Sequence, residues 1–174
     1  SSDFYMMTTE VTQGMFEGLM GYNPSYFATC GENCPVENIT WHEAASFSNA
    51  LSLEDGLVPC YSCVGTGSQA ECTAPANPYS SSSCTGYRLP TEAEWEFAAR
   101  GGTSESFDSP GGGGNLPSGA GQSCSAGLIL DDGTLLSSIS WYCGNNATYG
   151  IKEVAQKLPN EFGLYDMYGN IKEW

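Results

Sequence analysis

Eight cysteines, one histidine and an excess of carboxylates are the side chains in this sequence with chemistry to offer. Cys60-Tyr-Ser-Cys63 has the tight spacing of a zinc ligand pair, and Cys72 and Cys84 follow within reach. Zinc ligand sets usually repeat the tight pair, whereas eleven residues separate Cys72 from Cys84, and the sole histidine, His42, falls on a predicted helix. Disulfides are therefore the favoured state of the even set Cys30, Cys34, Cys60, Cys63, Cys72, Cys84, Cys124 and Cys143. A Cys30 to Cys34 bridge and pairing within the Cys60 to Cys84 cluster are the local solutions, with the overall connectivity left open. Oxidised pairs together with few charges place the chain in an extracytoplasmic setting: periplasm, cell surface or medium.

The remaining candidates for catalysis have simpler readings. His42 has no nucleophile near it in sequence, so a surface or packing role is expected. Glu92, Glu94 and Glu96 look like general acid/base carboxylates, yet a helix's first turn and a capping box require acids at just such positions. No P-loop, dinucleotide fingerprint or paired-histidine metal motif occurs. Two short glycosylation sequons, at Asn38 and Asn146, carry no weight, since Thr40 is better explained as a helix cap. Asp166 and Glu173 enclose a glycine-containing loop, and on the residues alone they would solvate that loop and satisfy its amides.

Charge excludes further classes. Twenty acidic residues face five basic ones, a net charge of −15, and Arg88, Arg100, Lys152, Lys157 and Lys172 are too scattered to make a face for nucleic acid. Anionic membranes are disfavoured on the same ground, and no apolar run is long enough to span a bilayer. The 174 residues suit a single domain, 1–174, with one packed interior. The opening Ser-Ser-Asp-Phe-Tyr has neither initiator Met nor signal-peptide pattern, so a trimmed or incomplete chain is expected.

Three short helices must position these groups. Thr12 caps the first, in which Met15, Phe16, Leu19 and Met20 recur at helical spacing before Gly21 and the Asn23-Pro24 turn. Thr40 and Glu43 form a capping box ahead of a face made by Trp41, Ala44, Ala45, Ser48 and Leu51. Thr91 and Glu94 repeat the device before Trp95, Ala98 and Ala99. Strands are expected at Phe4 to Thr12 and Ile139 to Cys143, with a hairpin from Gly127 to Leu136 around Asp131-Asp132-Gly133-Thr134. Gly65 to Ser83 and Thr103 to Ser125 read as long irregular loops. The sum is an α+β domain with few short strands and much ordered loop.

Four segments in order carry a resemblance. They are Glu10-Val11-Thr12-Gln13, the run Pro35 to Trp41 (PVENITW), the run Tyr87 to Gly102 (YRLPTEAEWEFAARGG) and the run Pro159 to Trp174 (PNEFGLYDMYGNIKEW). Together they resemble the formylglycine-generating enzyme family, also called the sulfatase-modifying factor family. The resemblance implies a C-type-lectin-like fold. It implies an activity in a full-length parent, oxidation by molecular oxygen of a sulfatase cysteine to formylglycine, with Cu(I) held by two cysteine thiolates. The family's cysteine pair lies beyond the final motif, and none of the eight cysteines here matches its place, so no catalytic or cofactor-binding residue is carried over. The expected chain is thus incomplete at its C-terminus, its enzymatic role open. A structural calcium site does carry over, with Asp166, Gly169, Ile171 and Glu173 as ligands, through two side chains and two backbone carbonyls. A second calcium site known in some members has no convincing counterpart at Asn145 or Asn146. Lys172 departs from the Trp common before Glu-Trp, altering an aromatic surface near the family's substrate region. The partner is either a sulfatase-type cysteine-containing peptide or, if the domain is a non-catalytic binding module, an unknown surface ligand. The two long loops favour the module.

Overall fold

A computed structural model describes residues 3–74, 84–118, 124–125, 127–146 and 150–174. The expected helices form. α1 (Gln13–Met20) starts where Thr12 accepts a hydrogen bond from Met15 N and stops at Gly21, whose φ of 79° suits a residue without Cβ. Its buried face differs from the expected one: Phe16 and Gln13 turn inward, while Met15 is 46% exposed. Gln13 is buried because its side chain holds the following loop, donating to Phe27 O and Pro35 O and accepting from Asn23.

α2 (Trp41–Glu54) and α3 (Glu92–Ala99) both begin with complete capping boxes, Thr40 with Glu43 and Thr91 with Glu94. Each box satisfies backbone N–H groups that have no helical partner. Glu43 also accepts from the Tyr22 hydroxyl at 2.6 Å, tying α2 to the end of α1. Ala44, Ala45 and Ser48 of the expected face are buried, and so is Phe47, which stacks on Phe16 with ring centroids 5.5 Å apart. Those two rings and Val36 centre one small apolar cluster.

The strand expectations fare differently. Residues 4–12 bend at Thr8 and Thr9 and make no ladder; their one bridge pairs Thr12 with Pro35. Main-chain bonds to two separate places, from Val36 N to Val11 O and from Tyr165 N to Thr8 O, take the place of a strand partner. The expected strand at Ile139 to Cys143 is replaced by a single helical turn, α4 (Leu136–Ile139), followed by irregular chain, because Leu136 and Ile139 both face a cluster with Leu130. The hairpin around Asp131 to Thr134 forms as a turn with one bridge, Ile129 to Leu135, and Asp132 accepts from Thr134 N and Oγ1 to close it. The one sheet among the described residues was not anticipated. β1 (Ser62–Val64) pairs antiparallel with β2 (Glu71–Thr73), inside what the composition marked as loop. Its register places Cys63 opposite Cys72, and those two cysteines are bonded.

All eight cysteines are paired: Cys30 with Cys34, Cys60 with Cys84, Cys63 with Cys72, and Cys124 with Cys143. The local Cys30–Cys34 bridge and pairing within the Cys60 to Cys84 cluster are as expected, and the zinc alternative is removed. His42 is exposed, with Nδ1 accepting from Cys72 N at 3.0 Å, so it docks the hairpin onto α2. Most of Thr103 to Ser125 is described, but 75–83, which ends the first long loop, and 119–123 lie outside the described residues.

A third apolar cluster joins Ala98 and Ala99 of α3 to Leu164 and Met167, and Tyr168 packs against both this cluster and the one around Leu130. Three small clusters joined by buried polar side chains thus replace one large core. Asn160 is one such joint: it donates to Ala98 O at 2.7 Å and accepts from Phe162 N and Leu164 N, both at 3.0 Å. With so much irregular backbone, these side chains supply partners that helices and sheets would otherwise provide.

Candidate functional site

The four residues expected to ligate calcium lie together. Asp166, Gly169, Ile171 and Glu173 line one open cleft of ≈ 660 Å³. Glu92 and Trp95 of α3 line it as well, and so do Lys172 and Trp174. Trp95 Nε1 donates to Glu173 Oε2 at 2.8 Å, which fixes the loop to α3. Trp174 Nε1 reaches Ile39 O at 3.3 Å, carrying the end of the loop to the segment before α2.

The loop's backbone is shaped for close approach. Asp166 and Asn170 have φ of 59° and 66°, a left-handed conformation that these two residue types tolerate better than most. A Cβ on Gly169 would stand 2.0 Å from Trp141 O, so only glycine lets the loop pass that close. Asn170 N and Ser140 Oγ then stitch the two segments, donating to Trp141 O at 3.2 Å and Tyr168 O at 2.7 Å.

Asp166 is 3% exposed. Its Oδ2 accepts from Ala155 N at 2.7 Å, while Oδ1 is buried and has no partner. A buried carboxylate oxygen without a donor is costly, and a cation is one thing that would satisfy it. The other two proposed ligands are the carbonyl oxygens of Gly169 and Ile171, which line the same cleft. No three His, Cys, Asp or Glu side chains converge tightly enough to make a metal site by themselves among the described residues. A site here therefore depends on those two carbonyls, the ligand type calcium accepts readily.

Sequence reasoning missed Glu10. It is 8% exposed and sits under the loop, where Oε2 accepts from Asn170 Nδ2 at 3.0 Å and Oε1 from Ile171 N at 3.4 Å. Burial, then the negative charge of Asp166, push the Glu10 carboxyl up to about 8, with Glu173 adding to the rise and the bond from Asn170 opposing it. Burial also raises Asp166 and Glu173, the latter pushed further by Asp166. Three carboxylates thus repel one another across the loop, an arrangement that a divalent cation would relieve. Glu10 opened the first of the four family segments, but nothing in its local spacing pointed to residues 160 positions away.

Two of the other candidate acids hold structure. Glu94 takes a two-pronged contact from Arg88, at 2.6 and 2.7 Å, which holds its carboxyl down at about 2. Glu96 pairs with Arg100 one turn along. Asn145, a weak candidate for a second calcium, accepts from Tyr142 N and donates to Ser140 O, as a turn residue does.

Comparison with known proteins agrees with this fold. The sulfatase-modifying factor enzyme 1-like domain matches residues 1–174. The chain belongs to this family. It is 37% identical over 183 aligned positions to a protein named chaperone protein LppX from Paenibacillus barcinonensis, an alignment covering 99% of this chain and 61% of the relative. The formylglycine-generating enzyme of Mycobacterium tuberculosis is 40% identical over 92 positions, 51% of this chain and 26% of the enzyme. Among solved structures, Treponema denticola variable protein 1 superposes with a TM-score of 0.66 at 31% identity, covering 95% of this chain and 59% of that one. CarF gives 0.56 at 27% identity, covering 97% and 66%. The fold of this family domain is C-type-lectin-like, as the resemblance implied. The chain spans about three-fifths of the first curated relative and about a quarter of the formylglycine-generating enzyme.

Proposed function

We propose that this domain is a binding module acting outside the cytoplasm, on a scaffold that calcium stabilises through Asp166, Gly169, Ile171 and Glu173. The eight cysteines here are all in disulfides and lend no thiolate, but the family's copper-binding pair has its place elsewhere, so the observation that carries the choice is the relative aligned along 99% of this chain. The name of the relative that aligns along nearly the whole chain, a chaperone protein, supports a role in which a polypeptide is bound and released unchanged. The cleft beside Trp95 and Trp174 suits such a ligand, with aromatic surface flanked by acids. Four disulfides favour an oxidising compartment, and no helix among the described residues is long and apolar enough to cross a membrane.

One observation favours a second reading. Half of the chain aligns with proteins named formylglycine-generating enzyme, so a longer protein containing this domain would oxidise a sulfatase-type cysteine if a thiolate pair lay elsewhere in it. Two assays on the full-length protein separate the readings. The first incubates it with Cu(I), oxygen and a sulfatase-type cysteine peptide and captures any aldehyde with a hydrazide. The second follows light scattering from an unfolding secreted enzyme, with the full-length protein added as wild type or with Trp174→Ser. Suppressed scattering that weakens in the variant, with no aldehyde, is the expected result. Aldehyde formation without suppression would replace the first reading by the second.

A further inference from the structure

Lys157 stands beside the acidic loop and does not neutralise it. Asp166 Oδ2 accepts from Ala155 N at 2.7 Å, two residues before Lys157, so the main chain that carries the lysine passes beside the carboxylate. They form no salt bridge among the described residues, although Asp166 Oδ1 is buried and lacks a partner. Instead the ammonium lies 3.6 Å from the centroid of the Trp141 ring and donates to Ser137 O at 2.7 Å. Indole is the best face for a cation, and a desolvated contact of this kind competes well with an ion pair. Trp141 is itself fixed at the back of the loop, because its carbonyl accepts from Asn170 N and its backbone closely abuts Gly169. Lys152 is 6.0 Å from the same ring, a weaker contact.

We propose that Trp141 is a positioning residue that tethers the Lys157 ammonium away from Asp166, keeping the Asp166 carboxylate free for a divalent cation. The inference rests on the calcium reading above. A lysine released from the ring would pair with Asp166 and compete with the cation for the same oxygen. The ring and Ser137 O hold it beside the loop without occupying the site. The tether therefore sets the affinity of the site, and the lysine weakens it by a fixed amount even when held.

Calorimetric titration of CaCl₂ into chelator-stripped full-length protein tests this, with near-ultraviolet circular dichroism to check that each variant is folded. Removing the positive charge in Lys157→Gln is expected to tighten calcium binding about 3- to 10-fold. Trp141→Leu, which frees the lysine, is expected to weaken it by a similar factor, while Trp141→Phe keeps a ring and stays within about twofold of the wild type. The decisive variant is the double one. Trp141→Leu with Lys157→Gln regains wild-type affinity or better if the loss came from the released lysine, and stays weak if Trp141 only shapes the loop, which would overturn the inference. A wild type that binds calcium, with all variants alike, overturns the tether and leaves the calcium reading standing. A wild type that gives no heat and no calcium-dependent rise in melting temperature overturns both.

Discussion

The carboxylate cluster makes the metal-free domain lose stability as pH rises through neutrality, the reverse of the usual acid-labile pattern. Glu10 ionises near 4.5 in the unfolded chain and at about 8 in the folded one. Between those values the folded state holds a proton that the unfolded state has released, so each step up in pH favours unfolding. The contribution is fully present below pH ~4.5 and is gone above pH ~8. A shift of this size corresponds to about 2 to 5 kcal/mol, the lower figure applying if Asp166 and Glu173 share the proton with Glu10. Both of those groups are raised as well, so they add slope of the same sign. Since a domain's whole stability is about 5 to 15 kcal/mol, the effect should be plain.

Urea unfolding at intervals from pH 5 to 8 reads it directly, once with a chelator and once with millimolar calcium, disulfides intact. The midpoint in chelator is expected to fall steadily over that range. Calcium is expected to flatten or reverse the trend, because a cation favours the ionised carboxylates that repel one another without it. Glu10→Gln, which cannot ionise, is expected to remove most of the slope. A chelator midpoint that is flat or rises between pH 5 and 8 would show that the three carboxylates do not compete for charge, and the account of the site would fail.

Other outcomes follow from single contacts. Arg88→Met removes the two-pronged partner of Glu94 and is expected to cost about 1 to 3 kcal/mol near neutral pH. The cost should shrink as pH falls from ~4.5 towards 2, where the depressed Glu94 carboxyl protonates, and thermal melts across that window would check it. Gly169→Ala places a methyl group 2.0 Å from Trp141 O, so a loss of more than about 2 kcal/mol is expected together with weaker calcium binding. Replacing Cys60 and Cys84 by Ser opens a loop of 24 residues and should lower stability by about 3 kcal/mol in chemical denaturation.

Legibility in the sequence followed the range of the interactions. Thr40 with Glu43 and Thr91 with Glu94 are local signals, three residues apart, and both helices start where those boxes place them. Composition could not find the β1–β2 pairing. Three residues on each side are too few for a periodic signal, and the register depends on the bond between Cys63 and Cys72. The segment from Phe4 to Thr12 has strand composition, yet whether it forms a ladder depends on a neighbouring strand that its own residues do not encode. Leu136 and Ile139 show the same limit in reverse: β-branched and apolar types suggested a strand, and packing against Leu130 wound them into a helical turn instead.

The candidate site divides along the same line, and the division bears on how the domain would respond to a cation. Asp166, Gly169, Ile171 and Glu173 occupy one short stretch and are singled out through the family resemblance, since the residues alone read as a solvated loop. Glu10, Trp141 and Lys157 belong to it only through folding. Glu10 holds Asn170 and Ile171 from the start of the chain, and Tyr165 N pairs with Thr8 O beside it. A cation bound to Asp166 would lower the Glu10 carboxyl and strengthen both of its hydrogen bonds, since an ionised acceptor is the stronger one. The N-terminal segment, which has no strand partner among the described residues, would then be fastened through Glu10 to the loop that lines the cleft. Calcium would act in this way on the cleft's support as well as on the residues that line it.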